Sequence, residues 1–185
     1  MRMLLTLLAF AVALPGASMA ATPRPISGGS NQRAAVEGCM NKWLFNGVWR
    51  LRVLSVDPGA SYNDGSQTTG VGVKIQLRNG THKDLSPDQT GLADINGRGI
   101  VLGYNDDNTE DVVGSGTGLT EQLLDKTMPP GGGVTMTLYF PYGPDKRAKP
   151  AKLIIPVDQH SEHNIAHAKY SVKDPSFRVN LTCGS

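Results

Sequence analysis

The sequence predicts an all-β fold, a sandwich of two antiparallel sheets with one short helix at most. Apolar and polar residues alternate in several short segments, which is the period of a half-buried strand. Turn-forming residues separate these segments, and Gly accounts for 22 of the 185 residues. A helical period is nearly absent. Six to eight short strands with such turns favour two packed sheets around one core.

The first 20 residues have the pattern of a cleavable secretory signal peptide. They begin with a basic residue, Arg2, continue with an apolar run over 4–14, and end in small residues up to Ala20. The run is too short to cross a bilayer core of ~30 Å as a permanent helix. We therefore expect an exported mature chain without a membrane span, located in the periplasm or outside the cell.

Residues 21–36 are rich in Pro, Gly and Ser and lack an apolar period, so they are predicted to form a flexible leader. Residues 37–185 have the length of a single β-sandwich domain. The sequence contains 18 Lys and Arg against 16 Asp and Glu, and removal of the signal, with its one basic residue, leaves 17 against 16. This balance gives no electrostatic reason to expect nucleic acid or an anionic membrane as a partner.

The two cysteines, Cys39 and Cys183, are predicted to form one structural disulfide, because an exported protein folds in an oxidising compartment. The bond would close nearly the whole domain into a loop, which the chain-entropy estimate values at about 5 kcal/mol. It would also place the first and last strands side by side. The alternative, two free thiols or half of a metal site, lacks the CxxC spacing that metal sites favour.

A β-hairpin is predicted over residues 42–56, KWLFNGVWRLRVLSV. Its arms would be residues 40–45 and 48–56, joined by a two-residue turn at Asn46-Gly47, a pair that accepts positive φ angles. In the second arm, alternation turns one set of residues inward: Trp49, Leu51 and Val53. Arg50 and Arg52 would face the other way.

Further strands are predicted from the same alternation. They cover residues 71–78, 100–104, 134–140 and 152–157, and a last strand turns Phe177, Val179, Leu181 and Cys183 inward. Residues 57–69 are dense in turn formers and are expected to be an exposed connection. Residues 105–111 are expected to be solvated, and residues 119–125 to form an edge strand or a half-turn. The one segment that could hold a short helix is 157–170.

These segments resemble a bacterial family of exported immunoglobulin-like sandwiches, largely of unknown function and related to secreted immunoprotective antigens. The similarity covers about residues 48–157, through VWRLRVLSV, GVGVKIQLRNGT, MPPGGG, VTMTLYFPY and KPAKLIIPV. The stretch over 84–125 is longer than the family pattern. The resemblance implies the sandwich architecture and a binding or surface role, and it provides no catalytic residues to transfer.

Three histidines, His160, His163 and His167, would share one face of a helix and could present their imidazoles to one metal ion. The last two have the spacing of a zinc-protease helix, but Asn164 stands where the HExxH motif requires its glutamate base. The alternative function is therefore a periplasmic or extracellular metal-binding protein that uses this histidine cluster. Exposed polar residues on a loop are the simpler interpretation.

Two other groups of residues are candidates for binding. The acidic run over 106–111 offers oxygen ligands, but Asp111 occupies the position where an EF-hand loop needs glycine. Five aromatic residues could form a platform for a carbohydrate or peptide, or could pack in the core and hairpins: Trp43, Trp49, Tyr104, Tyr139 and Tyr142. No GxSxG nucleophile motif is present.

The function predicted from the sequence is therefore a non-catalytic, exported binding or surface-interaction module with no cofactor. It would contact a protein or an envelope component through its loops or an exposed sheet edge. A hydrolase or inhibitor module is a third hypothesis. No residue pattern in the sequence specifies the ligand.

Overall fold

Two β-sheets make up the fold. The computed structural model describes residues 35–93 and 97–184, and this part of the chain contains nine strands. They are β1 (Val36–Cys39), β2 (Leu44–Phe45), β3 (Trp49–Asn63), β4 (Gln67–Asn79), β5 (Val101–Tyr104), β6 (Thr109–Asp111), β7 (Gly133–Phe140), β8 (Pro150–Ile155) and β9 (Phe177–Asn180). One sheet has the order β1-β9-β8-β5-β6 and the other β2-β3-β4-β7. The predicted all-β sandwich is confirmed.

The core lies between the two sheets and is filled by one face of each. The four-stranded sheet contributes Trp49, Leu51, Val53, Val73, Ile75, Leu77, Leu138 and Phe140, and the five-stranded sheet contributes Leu102, Leu153, Ile155, Phe177 and Val179. All of these side chains are almost completely buried. Each buried residue alternates along its strand with one that points outward, so the period-two pattern of the sequence gives the inner and outer faces directly.

The predicted disulfide joins Cys39 to Cys183, with their Cα atoms 5.2 Å apart. The first strand, β1, pairs with the last, β9, in the register Val36↔Phe177. Their adjacency is confirmed, but the pair is parallel, so the prediction of wholly antiparallel sheets is wrong here. A parallel pair needs a long crossover connection rather than a hairpin, and in this protein the rest of the domain provides it.

The hairpin at the start of the domain is shorter than predicted. Phe45 pairs with Arg50 and β3 begins at Trp49, so residues 46–48 connect the two arms instead of a two-residue turn. The Oδ1 atom of Asn46 accepts hydrogen bonds from the amides of Val48 at 3.0 Å and Trp49 at 2.8 Å. An asparagine side chain that bonds the backbone two and three residues ahead widens the loop beyond the tightest turn. The first arm is correspondingly reduced to β2.

The prediction of an exposed loop over residues 57–69 is wrong. Strand β3 continues to Asn63 and β4 begins at Gln67, so the two form a long hairpin with its turn at 64–66. The register shifts between Val53 and Ser55 and again between Asp57 and Ala60. Turn-forming residues, Pro and Gly among them, fit at such β-bulges, where the ladder is locally interrupted. They bend this strand without ending it.

Residues 157–170 contain turns and bends instead of the predicted short helix. The side chain of Asn164 accepts a hydrogen bond from the amide of Ala168 and donates to the carbonyl of Gln159, both at 2.8 Å. Polar side chains that bond the local backbone compete with helix formation. Within the described ranges, short helical turns lie instead at Pro87–Thr90 and Thr120–Leu124. No helix there is long and apolar enough to cross a membrane.

A buried polar network holds the end of this irregular segment against the core. The hydroxyl of Tyr170 donates to the carbonyl of Thr90 at 2.7 Å, and the indole N–H of Trp49 donates to Thr90 Oγ1 at 2.9 Å. Burial raises the pKa of Tyr170 to about 12. The phenol therefore keeps its proton, and its hydrogen bond to Thr90, to a higher pH than an exposed tyrosine would.

Several predicted segments lie partly or wholly outside the described residues. The signal peptide over 1–20 and most of the leader over 21–36 are among them, although Val36 already belongs to β1. Part of the acidic run predicted to be solvated is a strand, β6, which pairs with β5.

The disulfide should account for a large part of the stability of the domain. For the double variant Cys39→Ser/Cys183→Ser we expect the free energy of unfolding to fall by about 5 kcal/mol, because the unfolded chain regains the entropy of a long open loop. Urea unfolding followed by tryptophan fluorescence measures the loss. Reductant should destabilise the wild type to the same level and leave the variant unchanged. Equal unfolding free energies for the wild type and the variant would contradict the prediction.

Candidate functional site

The outer face of the four-stranded sheet carries a cluster of basic and aromatic side chains. It consists of Trp43, Phe45, Arg50, Arg52 and Arg78, which we call the arginine–aromatic cluster. The three arginines alternate along β3 and β4 with buried core residues, so they point away from the core. The aromatic residues lie on β2 and immediately before it, at the edge of the same sheet.

The aromatic rings of the cluster stack with the guanidinium groups. The Cζ atoms of Arg52 and Arg78 lie 4.7 and 5.0 Å from the centroid of the Trp43 ring. The Cζ atom of Arg50 lies 4.5 Å from the centroid of the Phe45 ring. These distances are within the range of cation–π interactions. Both rings stay substantially exposed, Trp43 at 38% and Phe45 at 41%, so the cluster is open to a ligand.

The arginines of the cluster form no ion pair in the part of the chain that the structure describes. Arg50 and Arg78 are directly opposite each other in the β3–β4 register. Within residues 35–93 and 97–184, no carboxylate forms an ion pair with Arg50, Arg52 or Arg78. Arg52 donates from Nη2 to Gln76 Oε1 at 2.9 Å, while its buried Nε has no acceptor in the described part of the chain. Most of the N–H donors of the cluster are therefore available to a ligand.

A pocket of ≈ 300 Å³ opens beside the cluster, lined by Trp43, Arg50, Arg78, Asn79 and Gly131, and we call it the arginine pocket. Its wall is held by Asn79, whose buried amide donates to the carbonyls of Lys83 at 2.7 Å and Met128 at 2.8 Å. Gly131, at φ +74°, donates from its amide to the carbonyl of Asn79 at 3.0 Å. The side chains of Arg50 and Arg78 thus flank a recess whose wall is held by hydrogen bonds of Asn79.

A second pocket, of ≈ 280 Å³, lies farther along the same face, where the β-bulge bends β3. We call it the tyrosine pocket, and its lining residues are Ser55, Asp57, Ala60, Ser61, Gly72, Lys74, Thr137 and Tyr139. A Cβ atom on Gly72 would lie 2.8 Å from the Cβ of Ala60 and 3.0 Å from Cγ2 of Thr137. Glycine is therefore required where the β-bulge of β3 brings Ala60 close to β4.

The predicted aromatic platform does not form a single surface. Trp49 is fully buried, and Tyr104 is buried with its hydroxyl donating to the carbonyl of Pro141 at 2.8 Å. Tyr142 donates to the carbonyl of Pro58 at 2.7 Å, and Tyr139 contacts the ring of Tyr62 at 5.5 Å between centroids. Trp43 and Tyr139 alone of the five line the two pockets described above.

The three histidines are not brought together as a metal site. In the described part of the chain, no group of three His, Cys, Asp or Glu side chains is placed to hold a metal ion. His160 and His167 are exposed on successive turns, and His167 has a φ of +49°. The alternative function as a histidine-based metal-binding protein is therefore not favoured. Among the same described residues, the acidic run over 106–111 is not arranged as a metal site either. There, Asn108 Nδ2 donates a hydrogen bond to Asp106 Oδ2 at 2.8 Å in the turn between β5 and β6.

One histidine does line a pocket, but without the contacts of a catalytic site. His163 shares a recess of ≈ 360 Å³ with Asp158 and Ser161. The hydroxyl of Ser161 is buried and unpaired, and Asp158 Oδ1 accepts from the amide of His160 at 2.9 Å. Within the described ranges no histidine ring is hydrogen-bonded to a serine or a carboxylate. This recess lacks the base–nucleophile contact that a serine hydrolase needs.

Comparison with known proteins finds similarity in fold and none in sequence. No protein-family model matches the sequence, and no curated protein sequence is significantly similar to it. The fold is similar to the crystal structure of the yjhA protein from Bacillus subtilis, with a TM-score of 0.50 and 18% identity over 77% of this chain and 98% of that one. A structure titled as an uncharacterized β-sandwich protein from Clostridium difficile 630 aligns with a TM-score of 0.41 and 7% identity, over 84% of this chain and 99% of that one.

The chain is a β-sandwich. At this level of identity the likeness to the yjhA protein concerns the fold alone, and it transfers no ligand or site residue. The resemblance in sequence to exported sandwiches agrees with this architecture. Export and the relation to immunoprotective antigens stay predictions.

Sequence reasoning found the parts of the arginine–aromatic cluster without their arrangement. Alternation placed Arg50 and Arg52 on the face opposite the core, and it does the same for Arg78 relative to Ile75 and Leu77. The register that sets Arg50 against Arg78 depends on where the long hairpin turns, at residues 64–66. Composition predicts a loop over residues 57–69, so the sequence does not indicate the pairing of Arg50 with Arg78. The sequence signal for the cluster was the Arg-x-Arg pattern of β3 together with the Lys-x-x-x-Arg pattern of β4.

The cluster should concentrate small anions around Trp43. The chain has two tryptophans, of which Trp43 is half exposed and Trp49 is fully buried, so collisional quenching reports on Trp43. We expect Arg50→Gln to reduce the quenching constant for iodide about twofold at low salt, since one charge ~10 Å away contributes about 0.4 kcal/mol in water. Quenching by neutral acrylamide should not change.

The control is Lys152→Gln, an equal loss of charge at an exposed position of β8 in the other sheet. It should leave both constants unaltered, and added salt should abolish the difference between the variants. Equal iodide quenching in the wild type and Arg50→Gln at low salt would show that the cluster does not attract anions.

Proposed function

We propose that the chain is an exported, non-catalytic binding module whose arginine–aromatic cluster holds an anionic partner. The observation that carries the proposal is the direct pairing of Arg50 with Arg78, neither of which forms an ion pair with any described residue. Like charges opposite each other on neighbouring strands destabilise a sheet. Such a local cost is typical of positions that serve binding rather than folding.

A purely structural role explains only part of the cluster. Stacking of Arg52 on Trp43 covers the edge of the sheet and is worth about 0.5–1 kcal/mol at an exposed site. Arg78 stacks on the same ring at 5.0 Å, but this contact does not require a cation directly opposite Arg50, where a glutamate would pair favourably with its neighbours. The excess of positive charge therefore supports a ligand that provides the missing negative charge.

The chemistry of the cluster favours carboxylate, sulfate or phosphate groups. A guanidinium presents planar N–H donors that match two oxygens of such groups at once. Trp43 and Phe45 offer apolar area beside these donors. The partner that fits is an anionic group carried on a larger molecule with some apolar surface.

Charge reversal within the cluster tests this proposal. We expect the mature chain to bind at least one of poly-L-glutamate, polyphosphate and polygalacturonate at low salt, with Kd rising as salt is added. Arg50→Glu should weaken that binding at least tenfold, because it removes one ligand contact and introduces repulsion. Trp43 fluorescence, titrated against each polymer, measures Kd.

Lys152→Glu is the matched control, since it makes the same change of charge on an outward position of the other sheet. Its Kd should stay within about twofold of the wild type, which is the size expected for a distant, screened charge. The proposal fails if none of the polymers binds, or if both variants lose binding equally.

Export is the second part of the proposal. It is supported by the signal pattern over residues 1–20 and by a disulfide, which persists in oxidising compartments. We expect the full-length chain, expressed in a bacterial host, to appear outside the cytoplasm with Ala21 as its first residue. N-terminal sequencing and intact mass measure this.

Ala20→Arg should block cleavage, because a signal peptidase requires a small residue at that position. A wild-type chain that stays unprocessed in the cytoplasm would contradict export.

A further inference from the structure

The outer face of the four-stranded sheet offers two neighbouring pockets of different chemistry. The arginine pocket is lined by two cations and an indole ring, and the tyrosine pocket by hydroxyl groups and a phenol ring. Arg78 in the first and Lys74 in the second are four residues apart on β4, so the two pockets are separated by ~13 Å along one strand. A ligand that fills both must be elongated and must change its character along its length.

The tyrosine pocket has the chemistry of a neutral sugar site. The hydroxyl groups of Ser55, Ser61 and Thr137 can both donate and accept hydrogen bonds, as sugar hydroxyls also can. The ring of Tyr139 provides a flat apolar surface that is partly exposed. Asp57, whose Oδ1 accepts from the amide of Gly59 at 2.9 Å, places a carboxylate in the same pocket. Lys74 lines this pocket too, so its two opposite charges cancel and it offers no excess positive charge to a second anionic group of the ligand.

We infer that this face binds an acidic oligosaccharide in which charged and neutral sugars alternate, an inference that rests on the proposed function. The charged sugar occupies the arginine pocket, with its carboxylate or sulfate between Arg50 and Arg78. The neutral sugar occupies the tyrosine pocket against Tyr139. Between the pockets the strip is lined by polar side chains of neighbouring strands, with Arg52 opposite Gln76 and Gln76 opposite Thr135.

Other anionic partners fit the two pockets less well. A nucleic acid strand carries a phosphate at every nucleotide, and one of them would enter the tyrosine pocket, where the carboxylate of Asp57 offsets the single cation, Lys74. A peptide that adds a strand needs a free sheet edge, whereas both pockets lie on the face of the sheet. Anionic lipid headgroups attract clustered basic residues near a surface and do not require a recessed, hydroxyl-lined site beside them. These partners are alternative outcomes of the test below.

The test compares three soluble probes of similar length on the mature chain. They are an oligosaccharide of alternating glucuronate and N-acetylglucosamine, an oligogalacturonate with a carboxylate on every sugar, and oligodeoxythymidylate. We expect the alternating oligosaccharide to bind at least tenfold more tightly than the other two. Reduction of its carboxylates to alcohols should abolish binding, because the arginine pocket then has no anion to hold.

Variants of the tyrosine pocket separate this inference from the proposed function. Tyr139→Ala should weaken binding of the alternating oligosaccharide about fivefold, because the contact with the ring is lost. The same variant should leave binding of poly-L-glutamate unchanged. Because Tyr139 also contacts Tyr62, Ser61→Ala serves as a second variant that removes one hydroxyl without altering a ring. Ser115→Ala, at an exposed serine of a separate loop, should have no effect.

The possible failures are distinguishable. Equal affinity for all three probes, or tyrosine-pocket variants that bind the alternating oligosaccharide as the wild type does, would overturn the sugar assignment while the cluster still binds anions. Tightest binding to oligodeoxythymidylate would also overturn it, in favour of single-stranded nucleic acid. No binding to any of the probes, to poly-L-glutamate or to polyphosphate would remove the inference together with the proposed function.

Discussion

The covalent link between Cys39 and Cys183 determines where the chain enters the sandwich, and the position of the arginine–aromatic cluster depends on it. The bond and the parallel pairing of β1 with β9 fix the first strand in the five-stranded sheet. Immediately afterwards the chain crosses to the other sheet, where the amide of Asn41 donates to the carbonyl of Val53 at 2.8 Å. Gly38 permits this crossing, since a Cβ there would lie 2.5 Å from Cδ2 of Leu44. Trp43 thereby lies over β3 and β4, although β2 itself has only two residues.

Two buried asparagines hold the ends of the cluster in place. Asn46 bonds the hairpin loop and donates from Nδ2 to the carbonyl of Pro175 at 2.9 Å, while Asn79 joins the end of β4 to two separate loops. Both are almost completely buried. A buried polar group that loses its partners costs about 1–3 kcal/mol, so these amides resist any rearrangement that would break their bonds. The arginines therefore project from strands whose ends are anchored, which suits a preformed binding face.

The fold could be predicted from the sequence largely because alternation is local information. It identified the inward faces of β3, β4, β7 and β9, and the two cysteines added one long-range constraint that proved to be correct. The predictions that were wrong all concern features that depend on non-local contacts or on side-chain hydrogen bonds. The bulges let β3 continue through Pro58 and Gly59, where composition alone indicates a loop. The bonds of Asn164 replace a helix with turns, and this spreads the three histidines apart.

The chain as a whole is nearly neutral, but the outer face of β3 and β4 carries several positive charges, on which the proposed function depends. Charges interact appreciably only within a Debye length of about 8–10 Å at moderate salt, so the sum over the sequence says little about any one face. On the outer face of β3 and β4 the repulsion between guanidinium groups is partly offset by stacking on Trp43 and Phe45. Stacking uses the flat face of a guanidinium and leaves the N–H groups at its edge free to bond. The aromatic rings therefore hold the cations in position without the carboxylates that would otherwise occupy their donors, and this keeps the face able to receive an anion.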